Sequence, residues 1–90
     1  MSRILAKVKG MVQGIGFRYF IMGKATTYGL QGYVRNCRDG DVEVEAEGDP
    51  EKLRSLIEDL RQGPPLSEVK DVEVEWFEEE KGYKTFTLRA

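Results

Sequence analysis

The sequence predicts an α+β fold, an antiparallel sheet with two helices packed on one of its faces. Three patterns predict it. Apolar residues alternate with polar ones in several short stretches, which is the period of a half-buried strand. They recur at helical spacing in two longer stretches. The order of these stretches along the chain is β-α-β-β-α-β.

The first strand is read from Ile4, Ala6 and Val8, which alternate with Leu5, Lys7 and Lys9. Gly10 to Gly16 is glycine-rich and reads as a loop. Phe17, Phe20, Ile21, Lys24, Ala25 and Tyr28 then follow helical spacing, and Gly29-Leu30 marks a helix end. Gly23 inside that helix costs about 1 kcal/mol relative to alanine. Gly32 to Asn36 and Asp41 to Glu47 are strands joined by an Asp39-Gly40 turn, so they form a hairpin. Val42, Val44 and Ala46 face one way; Glu43, Glu45 and Glu47 face the other. Asp49-Pro50 starts the second helix, with Asp49 as N-cap. Leu53, Leu56, Ile57 and Leu60 form its apolar stripe, and Gly63-Pro64-Pro65 stops it. Val72, Val74 and Trp76 alternate in a further strand, and Phe86 and Leu88 in the last; Trp76 and Phe86 are expected to pack in the core or on the sheet. These two segments are expected to pair around Lys81-Gly82. The order is that of the ferredoxin-like motif. The carboxylates of Glu43, Glu45, Glu73 and Glu75 are expected on a solvated outer face.

Composition narrows the chemistry. Ninety residues suffice for one domain, taken as 1–90. The hydrophobic share is 40% and the charged share 33%, which fits a folded protein rather than a disordered one. No apolar run approaches the ~20 residues that span a bilayer. Lys7 interrupts the stretch a signal peptide would need, so a cytoplasmic location is expected. A net charge of -2 gives no footprint for nucleic acid. Cys37 is the only cysteine, and there is no histidine. That excludes a disulfide, a histidine base, and a Cys/His metal site. Neither cofactor nor metal is expected. The high charged share and the single asparagine, Asn36, lean toward a heat-adapted source.

The loop Gly10-Met11-Val12-Gln13-Gly14-Ile15-Gly16 leads into the helix that carries Arg18 in its first turn. Its glycines let successive N–H groups face one point, and the helix start adds free N–H groups and a positive dipole end. Together they suit an anion of phosphate size. An arginine is unfavourable at this end of a helix by a few tenths to about 1 kcal/mol. An anion beside it would account for its presence. Other phosphate motifs fail. A dinucleotide fingerprint from Gly14 would need glycine at Tyr19, and Gly23-Lys24 is followed by Ala25 within a helix.

Two segments then become recognisable. Gly10-x-Val12-Gln13-Gly14-Ile15-x-Phe17-Arg18 resembles the first signature of the acylphosphatases. Gly32-Tyr33-Val34-Arg35-Asn36-x-x-x-Gly40-x-Val42, continuing to Gly48, resembles the second. The resemblance covers nearly the whole chain; Ile15 departs from it, where the family usually has valine. It implies hydrolysis of the carboxyl–phosphate bond of acyl phosphates. It also implies that Arg18 binds the phosphate and Asn36 positions the attacking water. The amides of Gln13, Gly14, Ile15, Gly16 and Phe17 are implied to hold the other phosphate oxygens. Taken alone, Asn36 would read as a turn residue. Cys37 has no base to activate it and reads as a bystander. Arg35 and Arg38 read as members of a solvated hairpin.

Two rivals belong to other classes. RNA-binding domains of the same strand order stack bases on aromatics of the open sheet face. Here that face would carry Leu5, Lys7, Glu43 and Glu45. A non-catalytic anion-binding module is the second rival, since acylphosphatase-like domains also occur inside larger proteins that handle carbamoyl groups. Retention of both Arg18 and Asn36 favours an enzyme. The expected partner is a small acyl phosphate, with no nucleic acid and no membrane. A monomer is expected, although the edge from Tyr83 to Leu88 offers free pairing groups.

Overall fold

The computed structural model describes residues 1–90. In order, its elements are β1 (Ser2–Met11), α1 (Phe17–Thr27), β2 (Gln31–Asn36), β3 (Val42–Gly48), α2 (Pro50–Gln62), β4 (Glu68–Phe77) and β5 (Phe86–Arg89). The strands form one sheet in the order β4-β1-β3-β2-β5. The first four pair antiparallel, and β5 joins β2 in parallel. The ferredoxin-like α+β fold is therefore present with a mixed sheet.

Period-two alternation buries Ile4, Ala6 and Val8 of β1 and Val42, Val44 and Ala46 of β3 on the helix-covered face. Phe17, Ile21 and Ala25 of α1 and Leu53, Leu56, Ile57 and Leu60 of α2 close over them. Full burial of a leucine or isoleucine contributes about 1.5–3 kcal/mol, so these stripes hold the helices in place. The Asp49 side chain accepts a hydrogen bond from Glu51 N–H at 2.8 Å, as its N-cap position predicts. Gly32 is required by crowding: a Cβ there would lie 1.9 Å from the Glu45 carbonyl oxygen. Nothing approaches Gly23 within 4 Å, and the structure gives no reason for that glycine.

Three expectations are corrected. First, β4 and β5 do not pair around Lys81-Gly82; they lie on opposite edges of the sheet. Residues 78–85 cross the outer face between them, passing Arg3 of β1, which donates to the Glu79 carbonyl at 3.0 Å. Second, the outer face is not uniformly solvated, because this connector covers part of it. Glu45 and Glu47 are only 3% and 2% exposed. The Glu47 carboxylate accepts from Lys81 N–H at 2.6 Å and from Tyr83 N–H at 2.5 Å. Glu45 accepts from the Tyr83 hydroxyl at 2.6 Å and faces Lys81 Nζ at 3.2 Å and Arg3 Nη1 at 3.6 Å. Those partners are what make a buried carboxylate tolerable. Both glutamates hold the turn at Gly82 against the sheet, so it does not close a hairpin. Third, Trp76 is 45% exposed at the β4 edge, with the Arg54 guanidinium 5.6 Å above its ring. Phe86 does pack against the core.

Candidate active site

At the end of the sheet opposite the connector, β1, β2 and β5 finish close together. The loop from β1 to α1 passes beside the end of β2 and makes a small cavity. Val12, Gly14, Gly16, Phe17, Arg18, Tyr19 and Asn36 line it. Its volume is about 70 Å³. At ~10–15 Å³ per water-sized group that is room for about five atoms, the heavy-atom count of a phosphate.

Gly14 and Gly16 have φ of 76° and 80°, and no other residue type in the chain has a positive φ. The sign of φ therefore alternates through Gly14-Ile15-Gly16-Phe17, a pattern that turns successive N–H groups toward one side. Outside the regular elements, no backbone hydrogen bond is donated by any residue from Gln13 to Tyr19. The first α1 bond runs from Phe20 N–H to the Gly16 carbonyl at 3.0 Å. The N-cap is Gly16, which has no side chain to offer, and the first turn holds no acidic residue. The positive end of α1 is thus left without an anion from the chain.

Arg18 is half-buried and makes no ion pair. One of its five N–H donors, on Nη1, bonds the Arg89 carbonyl at 2.7 Å. The rest of its fork is free to grip an anion. Asn36 ends β2, next to the Arg35–Arg89 pairing of β2 with β5. Its Oδ1 is buried and has no hydrogen-bond partner. Leaving a buried acceptor unpaired costs about 1–3 kcal/mol. An unpartnered acceptor on a residue that lines the cavity marks a place for a donor.

Of the residues predicted for the site, Gly14, Gly16, Phe17, Arg18 and Asn36 line the cavity together. Gln13 and Ile15 do not. The Gln13 side-chain amide donates from Nε2 to the Cys37 and Asp41 carbonyls at 2.7 and 2.8 Å. It ties the loop to the turn that follows Asn36. Lys9 adds an ion pair to Asp41 at 2.9 Å, and that hydrogen-bonded carboxylate raises the lysine pKa. Ile15 packs against the core. Arg35 is held by Glu43 at 2.8 Å. Val12, a member of the first signature that was given no role, and Tyr19 also line the cavity. The Arg89 carbonyl that holds Arg18 carried no sequence signal, since a main-chain carbonyl has none to carry. On the outer face, Leu5, Lys7, Glu43, Glu73 and Glu75 line a shallow depression without aromatic platforms. Its carboxylates would repel a nucleic-acid backbone. No cluster of His, Cys, Asp and Glu suited to a metal ion is present.

The family model described as acylphosphatase matches residues 4–88. The chain belongs to the acylphosphatase family. It is a hydrolase that acts on acyl phosphates. An acylphosphatase of Thermus thermophilus is 51% identical over 86 residues, covering 96% of this chain and 97% of that protein. The crystal structure of an acylphosphatase from Bacillus subtilis superimposes with a TM-score of 0.97 at 38% identity, covering 100% of both chains. A full-length HypF in a phosphate- and nucleotide-bound form matches with a TM-score of 0.85 at 28% identity; the match covers 100% of this chain but 12% of that one. The acylphosphatase fold thus occurs both as a whole chain and as a small part of a larger one. No helix here is long and apolar enough to cross a membrane.

Proposed function

We propose that residues 1–90 act as one catalytic unit in which Arg18 and the Gly14–Phe17 amides bind the phosphoryl group and Asn36 orients the attacking water. The observation that carries this reading is that an open N–H cradle, Arg18 and Asn36, whose buried Oδ1 lacks a hydrogen-bond partner, line one phosphate-sized cavity.

The chemistry asks little more of the protein. The carboxylate leaving group is a weak base and needs no general acid. Phosphoryl transfer then needs charge stabilisation and an in-line nucleophile. Arg18 and the loop amides are fixed donors around oxygens where charge shifts. Asn36 Oδ1 accepts a hydrogen from water and points its lone pair at phosphorus. A neutral amide is a poor base, so the substrate phosphate takes the water's proton. The cavity has room for the phosphoryl group alone, so the acyl group extends beyond its rim. This fits a small, varied acyl phosphate as substrate. The reading needs neither cofactor nor metal, and a monomer suffices because every named group comes from one chain.

The test is hydrolysis of benzoyl phosphate in excess EDTA, comparing wild type with Arg18→Ala. We expect turnover by the wild type. Loss of a charged phosphate contact costs about 1.5–3 kcal/mol, or about 10- to 150-fold in rate, and more where the contact tightens in the transition state. A folded wild type that binds phosphate without hydrolysing the substrate would instead favour a binding module.

A further inference from the structure

The buried Glu47 lies at the opposite end of the sheet from the cavity, yet contacts lead from it to Arg18. Gly82 has φ of 83°, and the N–H groups on either side of it, of Lys81 and Tyr83, both point at the Glu47 carboxylate. Each oxygen of Glu47 takes one of them. This fixes the connector immediately before β5. The Thr85 carbonyl then accepts from Gly32 N–H at 3.0 Å, which sets the parallel register of β5 on β2. The Tyr83 ring meets the Tyr33 ring edge-on at 6.1 Å between centroids. The Arg89 guanidinium lies 3.9 Å above the other partner of that pair, the Tyr33 ring. The Arg89 carbonyl, in turn, holds Arg18. β5 has only four residues and β2 is its one strand neighbour; beyond that pairing it is held by Phe86 against the core and by the Arg18 contact itself.

We infer that Glu47 is a positioning residue for Arg18, acting through the Gly82 turn, the Tyr83–Tyr33–Arg89 stack and the β5 backbone. The inference rests on Arg18 being the phosphate ligand. Glutamine cannot replace Glu47, because its one carbonyl oxygen serves one N–H and its amide N–H₂ opposes the other. The connector would then loosen, β5 would shift against β2, and Arg18 would lose its fixed anchor. A small displacement of a phosphate-gripping fork is costly in binding and in rate.

The experiment measures Ki for inorganic phosphate and kcat/KM for benzoyl phosphate at a temperature where each variant is fully folded. Glu47→Gln is expected to raise Ki and lower kcat/KM on the order of 3- to 30-fold. Tyr28→Phe serves as the structural control. It removes the Tyr28–Asp59 hydrogen bond of 2.6 Å, away from the site, and should lower Tm without moving Ki. In a chain ending at Leu88 the Arg89 end of the stack and the carbonyl anchor are gone, so adding Glu47→Gln should change Ki by less than about twofold. Gly82→Ala, which strains the same turn without touching the sheet interior, should raise Ki in the same direction. If the variants that fold keep wild-type Ki, or if the Glu47→Gln effect persists at full size in the shortened chain, the inference is overturned. Arg18→Ala measured alongside separates the two readings. An unchanged Ki there faults the phosphate-ligand assignment; a raised Ki there with an unmoved Glu47→Gln faults the connector alone.

Discussion

Two turns of this molecule present backbone N–H groups around positive-φ glycines, and they differ in who supplies the anion. At Gly82 the chain supplies it: the Glu47 carboxylate fills the concavity and is 2% exposed. At Gly14 to Gly16 the chain withholds it: no side chain caps α1, and its first turn holds no acid. The start of α2 confirms that withholding is a local choice, since Asp49 caps it and Glu51 sits in its first turn. The same backbone chemistry thus serves folding where the anion is built in and, in the function proposed above, substrate binding where the place is left open.

The largest effect should come from abolishing that difference. Gly16→Asp places a carboxylate where α1 leaves its N–H groups open, and Asp tolerates the left-handed conformation better than most residues. The fold should survive, while kcat/KM for benzoyl phosphate falls by about 100-fold or more. Next, Asn36→Ala removes the water's partner but leaves the cradle. We expect kcat to fall roughly 10- to 100-fold with Ki for phosphate nearly unchanged. Because the orphaned Oδ1 is removed as well, Tm should hold or rise. A wild-type kcat in this variant would remove Asn36 from the mechanism. A smaller effect sharpens the contrast by filling the open cradle from outside. Inorganic phosphate at ten times its Kd should stabilise the wild type by about 1.4 kcal/mol, or roughly 6–11 °C in Tm. The same concentration should do much less for Arg18→Ala, which calorimetry would show.

The smallest effect belongs to the filled turn. Burial first, and then the hydrogen bond to Glu45, push the Tyr83 hydroxyl up to about 12. A raised pKa means that the folded state keeps its proton after the unfolded state has lost its own. The contribution is complete below the ordinary tyrosine value near 10 and is lost as pH rises toward about 12. Denaturant midpoints measured across that window should therefore fall less steeply for Tyr83→Phe than for the wild type.

Much of this was legible in the sequence, for identifiable reasons. Period-two and helical patterns located every element, because the burial of Ile4, Val44 or Leu56 leaves a mark at each position. Asp49-Pro50 marked a helix start through local chemistry alone. The side of the sheet taken by β5 was not legible. It depends on Glu47 reaching residues 81 and 83, and a carboxylate in an alternating strand looks the same whether water or a connector covers it. Trp76 was expected to pack in the core or on the sheet, yet a residue of an edge strand is left partly uncovered. In the site, Arg18, Asn36 and the glycines were legible from their two signatures. The Gln13 backbone amide was read with its neighbours as a phosphate donor; the second role of this residue, a side chain that fastens the loop to the hairpin turn, was not legible. The anchoring of Arg18 by a carbonyl of the last strand was beyond any reading of side chains.

The strand order also governs how the molecule is assembled. β1 comes first in the chain but lies between β3 and β4. Its partners begin with Ser2 against Gly48 and Arg3 against Phe77, so neither neighbour is local. The helices and the β2–β3 hairpin can form from nearby residues, whereas β1 must wait for two long loops to close. Until Phe77 is in place, one side of β1 is an unpaired row of backbone groups carrying Ile4, Ala6 and Val8. A chain cut short before β4 would therefore expose the interior strand β1 as an edge, the form most prone to pair with a neighbour and aggregate.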